Sequence, residues 1–258
     1  MKPIFQIRAI AINVWRESIR NRTLHILTGS AFIFLCFSMV LGEMAMGGRE
    51  RIVQNAAFWM FGMWGLLSTI YLGANIIKQE YQRRTVYLIL SRPVTRFVFL
   101  SGKFMGMIMV LMCIFVSLFI FTVLIFKSVP VQIMGMHLIA LLFIFGEWIL
   151  LAAISIFFAA FTSPILQAFF MTGIYFTSHW SKDLYLFASN SSDIYLKTLL
   201  NMIYYTLPNL EALNFRADAL YSRVVPHQLF LEGALVLICW IALFFTGANI
   251  IFSSRKIV

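Results

Sequence analysis

Apolar residues fall into long runs separated by short polar stretches, and the runs at roughly 23–42, 54–77, 98–126, 131–161, 165–187 and 227–252 stand out. Each approaches or exceeds the ~20 residues a helix needs to cross a bilayer. The pattern predicts an all-α polytopic membrane protein of six transmembrane helices, forming a single membrane domain over residues 1–258. The fourth run is longer than one crossing requires and is expected to tilt, or to bend near Gly146. The fifth is interrupted by His179, Trp180, Ser181 and Lys182.

Two polar stretches carry helical periodicity of their own. Over residues 1–22, Lys2, Gln6, Asn13, Arg16, Glu17 and Arg20 fall on one arc at 100° per residue, and Ile4, Ile7, Ala11, Val14, Trp15 and Ser18 fall on the other, with Arg8 and Ile10 as exceptions. This predicts an amphipathic interfacial helix, serving either as a plain membrane anchor or as a docking surface. The segment 181–226 is too polar to span. NSSDIYLKTLLNMIYY (190–205) and EALNFRADALYS (211–222) predict two short helices, ended by Leu207-Pro208-Asn209 and by Pro226, packed on the outer mouth of the spans.

Composition changes the picture in one respect: it leaves no soluble alternative. Hydrophobic residues make up 61% of the chain, charged residues 12%, and mean hydropathy is +0.89. A soluble domain averages about 25% charged residues, so lipid must supply part of the solvent. The net charge of +10 could suggest nucleic acid, but the basic residues lie beside the spans and form no soluble domain, so no nucleic-acid partner is expected. Thirteen of the twenty Lys and Arg fall in the N-terminal segment, the 78–103 connection and the C-terminus. The basic-rich side is expected to be cytoplasmic, which puts both termini inside. Residues 1–22 lack an apolar core and cleavage site and are not expected to be a signal peptide. Cys36, Cys113 and Cys239 each sit within an apolar run and read as packing residues.

No HExxH, GxSxG or intramembrane Asp pair is present, and the SGK at 101–103 lacks the rest of a Walker A loop. No catalytic or metal-ligating residue is therefore assigned, and no cofactor is expected in this chain. Glu147 is the one acid near the middle of a span. Ionised residues at that depth are costly and face a partner, a cavity or water. Glu147 therefore lines a substrate path, gates a dimer interface, or acts as an interhelical hydrogen-bonder. His179 and Asn209 join it as expected pathway residues. Gly102-x-x-x-Gly106 permits close helix approach, for local packing or for a dimer seam.

The strongest signal is KQEYQRRTVYLILSRPVTR (78–96), which threads the apolar string Val86-Tyr87-Leu88-Ile89-Leu90 through the densest positive charge of the chain. Charge obeys the positive-inside rule, but the apolar string wants a protein surface, and Arg83, Arg84, Arg92 and Arg96 can form charge-assisted hydrogen bonds around it. Pro93 biases Arg92 towards extended backbone, so a helix here should end near Leu90. Thr95 is placed to cap the third span.

This stretch, with Glu80, Thr85 and the following Gly102-Lys103, resembles the membrane subunits of ABC type-2 exporters, whose loop after the second span reads E-x-x-x-G-T-x-x-x-L-L-S-[RK]-P-[VI]-[ST]-R and then GK. FFAAFTSPILQAFFMTGIYFTSHWSKDL (157–184) and YYTLPNLEALNF (204–215) are similar to two further blocks of that family, in the same order. Arg84 stands where the family has glycine. The resemblance implies a permease subunit of the bacterial cytoplasmic membrane that pairs with a second permease copy, expected to be identical. It also implies a separate ATPase subunit that binds ATP and Mg. The coupling helix would lie within 78–97, with Glu80, Arg83, Arg84, Thr85, Val86, Tyr87, Leu88, Leu90, Arg92, Pro93 and Arg96 facing the ATPase. Two other functions fit the residues alone: a membrane scaffold that transports nothing, and a lipid-modifying enzyme using Glu147 or His179.

Overall fold

The computed structural model describes residues 3–83 and 95–254 except 130, 132, 134, 192 and 224, with the backbone alone for 76–83. The described residues form helices and connecting turns, without a strand. In chain order these are α1 (Pro3–Ile19), α2 (Arg22–Glu43), α3 (Arg49–Arg83), α4 (Arg96–Ser128), α5 (Gly135–Ala159), α6 (Pro164–His179), α7 (Ser181–Asn190), α8 (Ile194–Thr206), a 3₁₀ turn (Glu211–Leu213), α9 (Arg216–Leu220) and α10 (His227–Ser254). Five of them, α2, α3, α4, α5 and α10, are long and apolar enough to cross a membrane. The chain is an all-helical polytopic membrane protein.

Helices α3 and α5 form the centre. About two thirds of the apolar stretch of each (67%) is buried, against 22% for α2 and 17% for α10, which present their apolar side chains outward as lipid-facing helices do. Trp148 of α5 is fully buried and donates from Nε1 to the Phe61 carbonyl of α3 at 3.1 Å. Lower on the same face, Ser155 Oγ donates to the Thr69 carbonyl at 3.0 Å and accepts from Gln167 Nε2 of α6 at 2.7 Å. Buried polar side chains thus staple neighbouring helices through carbonyls that keep a free lone pair, the polar glue expected where no water competes.

Expected and observed spans agree closely for α2, α4 and α10, whose bounds lie within two residues of the apolar runs. Three differences are informative. The fourth run resolves into a helix of 25 residues, continuous past Gly146, because Val131 and Ile133 lie outside it. The second runs on to Arg83, so α3 is about 52 Å long at 1.5 Å per residue and outreaches the ~30 Å hydrocarbon core.

The fifth run is not one crossing helix. Ser163 caps α6, accepting from Leu166 N, and Pro164 opens the first turn where its missing N–H costs nothing. The helix then stops at His179, where Trp180 departs from helical geometry (φ −91°, ψ 7°) and a separate helix α7 begins. Sixteen residues give about 24 Å, short of a full crossing. The expected single span 165–187 is therefore corrected to a short helix plus part of α7. Beyond it, Asp193 caps α8 by accepting from Tyr195 N at 2.9 Å.

The amphipathic N-terminal segment does form a helix, and its buried residues Ala11 and Val14 face protein. A Cβ placed on Gly102 would lie 2.7 Å from Ile10 Cβ, and one on Gly106 would lie 2.6 Å from Val14 Cβ. The paired glycines of α4 are thus the groove in which α1 rests. The close approach they permit is used within the chain.

Candidate functional site

Residues of the first predicted contact surface divide sharply. Arg84, Thr85, Val86, Tyr87, Leu88, Leu90, Arg92 and Pro93 lie outside the described residues, as does the expected helix end near Leu90; Glu80 and Arg83 are placed as backbone on the last turns of α3. Thr95 caps α4 as expected, accepting from Val98 N at 3.3 Å. Arg96 donates from Nη1 to the Phe252 carbonyl at 3.2 Å and to the Ser253 carbonyl. It therefore ties the start of α4 to the last described turn of α10, where the helix dipole favours a cation.

The predicted pathway residues lead to a more complete arrangement. Phe143 and Glu147 sit one turn apart on α5. Opposite them are Phe215 and Arg216, consecutive residues at the start of α9. Phe215 is buried between Phe143 (centroids 4.6 Å apart) and Phe230 of α10 (5.0 Å). This aromatic clip fixes α9 against the bundle. Asn214 Oδ1 accepts from Arg216 N at 3.3 Å and so fixes the backbone from which the guanidinium projects. Arg216 Nη2 then donates to Glu147 Oε2 at 3.0 Å.

His179, the last residue of α6, completes the group, with Nε2 2.5 Å from the other carboxylate oxygen, Oε1. The Glu147 side chain is only 4% exposed, and those of His179 and Arg216 are 14% and 13%. Tyr175, one turn before His179 with rings 4.6 Å apart, stands beside the guanidinium. A Cβ on Gly62 of α3 would lie 2.6 Å from Tyr175 Oη and 2.9 Å from Arg216 Nη2. A side chain at this position would force the phenol or the guanidinium to shift. Four elements, α3, α5, α6 and α9, therefore converge on one buried carboxylate.

An ion pair at this depth is a strong constraint. Withdrawing either partner leaves an uncompensated buried charge, at a cost of about 3–5 kcal/mol. The centre holds the end of the short helix α6 and the segment that follows α8 to the same point on α5. It can release them only together with a proton or a replacement partner.

Glu147 and His179 are thus brought together as neighbours, whereas Asn209 is not part of their centre. Its Oδ1 accepts from Ser181 Oγ at 2.7 Å and from Ala212 N at 3.1 Å, joining the start of α7 to the 3₁₀ turn. Arg216 and Tyr175 escaped the sequence reading. Arg216 is one of the seven Lys and Arg outside the three basic-rich segments, and only the demand of a buried acid for a nearby cation points to it. No known family profile matches the chain, and a search of curated proteins finds no match.

Proposed function

We propose that the chain is the membrane-spanning permease subunit of an ABC type-2 exporter. With a second permease copy it forms a substrate path driven by ATP hydrolysis in a separate cassette ATPase. The observation that carries this reading is the relation between sequence blocks and contacts. Two of the three family-like blocks, 157–184 and 204–215, meet through Ser181 and Asn209, and Glu147 bonds both His179 of the earlier block and Arg216, the residue immediately after the later one. His179, Ser181 and Asn209, which lie in the family-like blocks, thus take part in fastening the fold.

The remaining block supports the same reading. Helix α3 is long enough to carry Glu80 and Arg83 clear of the hydrocarbon, towards a soluble partner. On the far side of 84–94, α4 is gripped by α1 at Gly102 and Gly106 and by α10 through Arg96. A displacement of the connection would act on α3, α4 and α10 at once, as rigid-body rocking requires. In this reading both termini and the connection are cytoplasmic, by the positive-inside rule, and the membrane is the bacterial cytoplasmic membrane. The segment 180–226 then lies towards the exit, and the Glu147 centre is its fastening to the bundle.

The test is co-expression with a cassette ATPase encoded beside the gene. Co-purification that is lost on replacing the 86–90 string by serines supports the proposal. Retention of the ATPase and of its coupled activity without that string would remove the coupling assignment.

A further inference from the structure

Apart from the ionic centre, a cavity of ≈ 220 Å³ opens between α7, α8 and the 3₁₀ turn, lined by Lys182, Tyr185, Tyr204, Asn209, Glu211 and Ala212. It far exceeds the ~15 Å³ that one water needs and falls below the ~300 Å³ at which pockets for drug-sized ligands begin. Its size suits a small polar group. Tyr185 and Tyr204 form one wall, their rings 5.1 Å apart and tilted by 40°.

The charges on its lining are the informative feature. Lys182 forms no ion pair among the described residues. Glu211 accepts from Asn214 Nδ2 at 3.0 Å through one carboxylate oxygen only. A cation and an anion line one small cavity without closing on each other, which leaves a site of both signs with space between them. The same two helices expose large apolar side chains: Leu186 and Phe187 on α7, Leu199 and Met202 on α8, with Trp180 at the start of α7. In a membrane protein such side chains are covered by acyl chains, and Trp and Tyr collect at headgroup level.

We propose that this cavity binds the headgroup of a zwitterionic phospholipid of the phosphoethanolamine type. The phosphate receives charge-assisted hydrogen bonds from Lys182. The primary ammonium donates to Glu211 and lies against the tyrosine faces, where a cation is favoured. The acyl chains follow the exposed apolar side chains of α7 and α8. An anionic lipid lacks the group that answers Glu211 and places negative charge near it. The site is independent of the permease reading, because lipid retention is measured without transport.

The experiment is native mass spectrometry of the full chain purified from mixed micelles holding equal amounts of phosphatidylethanolamine and phosphatidylglycerol. Phosphatidylethanolamine is expected to be retained by about tenfold over phosphatidylglycerol, the worth of one charge-assisted hydrogen bond. That preference is lost in Glu211→Gln and kept in Lys197→Gln, a control on the exposed surface of α8, while Lys182→Gln lowers retention of both lipids, whose phosphate they share. Equal or greater retention of phosphatidylglycerol by the unaltered protein overturns the proposal, and that measurement needs no variant to fold. A preference that survives Glu211→Gln, or retention of both lipids unchanged in Lys182→Gln, overturns it as well.

Discussion

Glu147 and Arg216 lie 69 positions apart in the chain and share a 3.0 Å hydrogen bond deep within a helical bundle. The carboxylate is provided by one of the two central helices and the guanidinium by a helix of five residues. So short a helix has no stability of its own. Its place is set by Phe215 packing and by this bond.

Breaking the pair from one side should therefore be worse than removing it. Arg216→Met is expected to lower stability by about 3–5 kcal/mol, because Glu147 keeps a buried charge with only His179 to answer it. Combining Arg216→Met with Glu147→Gln should recover most of that loss. Denaturant titration of the purified protein in detergent checks this. A double variant as unstable as the two single losses summed would show that the groups do not act as a pair.

The same centre predicts intolerance at a residue that bears no charge. Gly62→Ala places a methyl group 2.6 Å from Tyr175 Oη, and the overpacking should cost about 1–3 kcal/mol. Tyr175→Phe removes the atom in the way and should return part of the loss, although the guanidinium at 2.9 Å remains. Thermal melting of the single and double variants decides between this account and a general sensitivity of α3.

Helix α1 should detach when its groove is filled. Gly106→Leu forces side-chain atoms into Val14, whereas Gly29→Leu on α2 enters open space with nothing within 4 Å. Hydrogen exchange over residues 3–19 should rise in the first variant and stay unchanged in the second. Equal exchange in both would mean that α1 is held by lipid alone.

Arg96→Gln should loosen the end of α10 while leaving its middle intact. Loss of a cation bonded to helix-terminal carbonyls costs about 1 kcal/mol, so faster exchange is expected near Phe252 and Ser253 and not near Phe244. Uniform exchange along α10 would argue against the local contact.

Hydrophobic runs made most of the bundle legible, because a bilayer imposes a length that a sequence must meet with unbroken apolar residues. The run at 165–187 misled for the same reason: apolar composition continues across Trp180 while the helix does not. The interruption by His179, Trp180, Ser181 and Lys182 was the visible signal. At α1 the periodicity was readable but the partner was not, since an apolar arc reads alike whether it meets lipid or a glycine groove. Glu147 announced itself by cost. Arg216 did not, because nothing in its local sequence distinguishes a cation that turns inward from one that stays in water. Asn209 was expected beside Glu147 on a substrate path, yet its side chain fastens Ser181 and the 3₁₀ turn and stands apart from the carboxylate.

The central claim is that residues 78–96 engage an ATPase, and the most direct measurement is the ATPase activity of the co-purified complex in lipid. Replacing Val86, Tyr87, Leu88, Ile89 and Leu90 by serine should abolish co-purification or leave hydrolysis at the rate of the isolated ATPase, with the melting temperature of the membrane subunit unchanged. Full association and unaltered, permease-dependent hydrolysis in that variant would contradict the account.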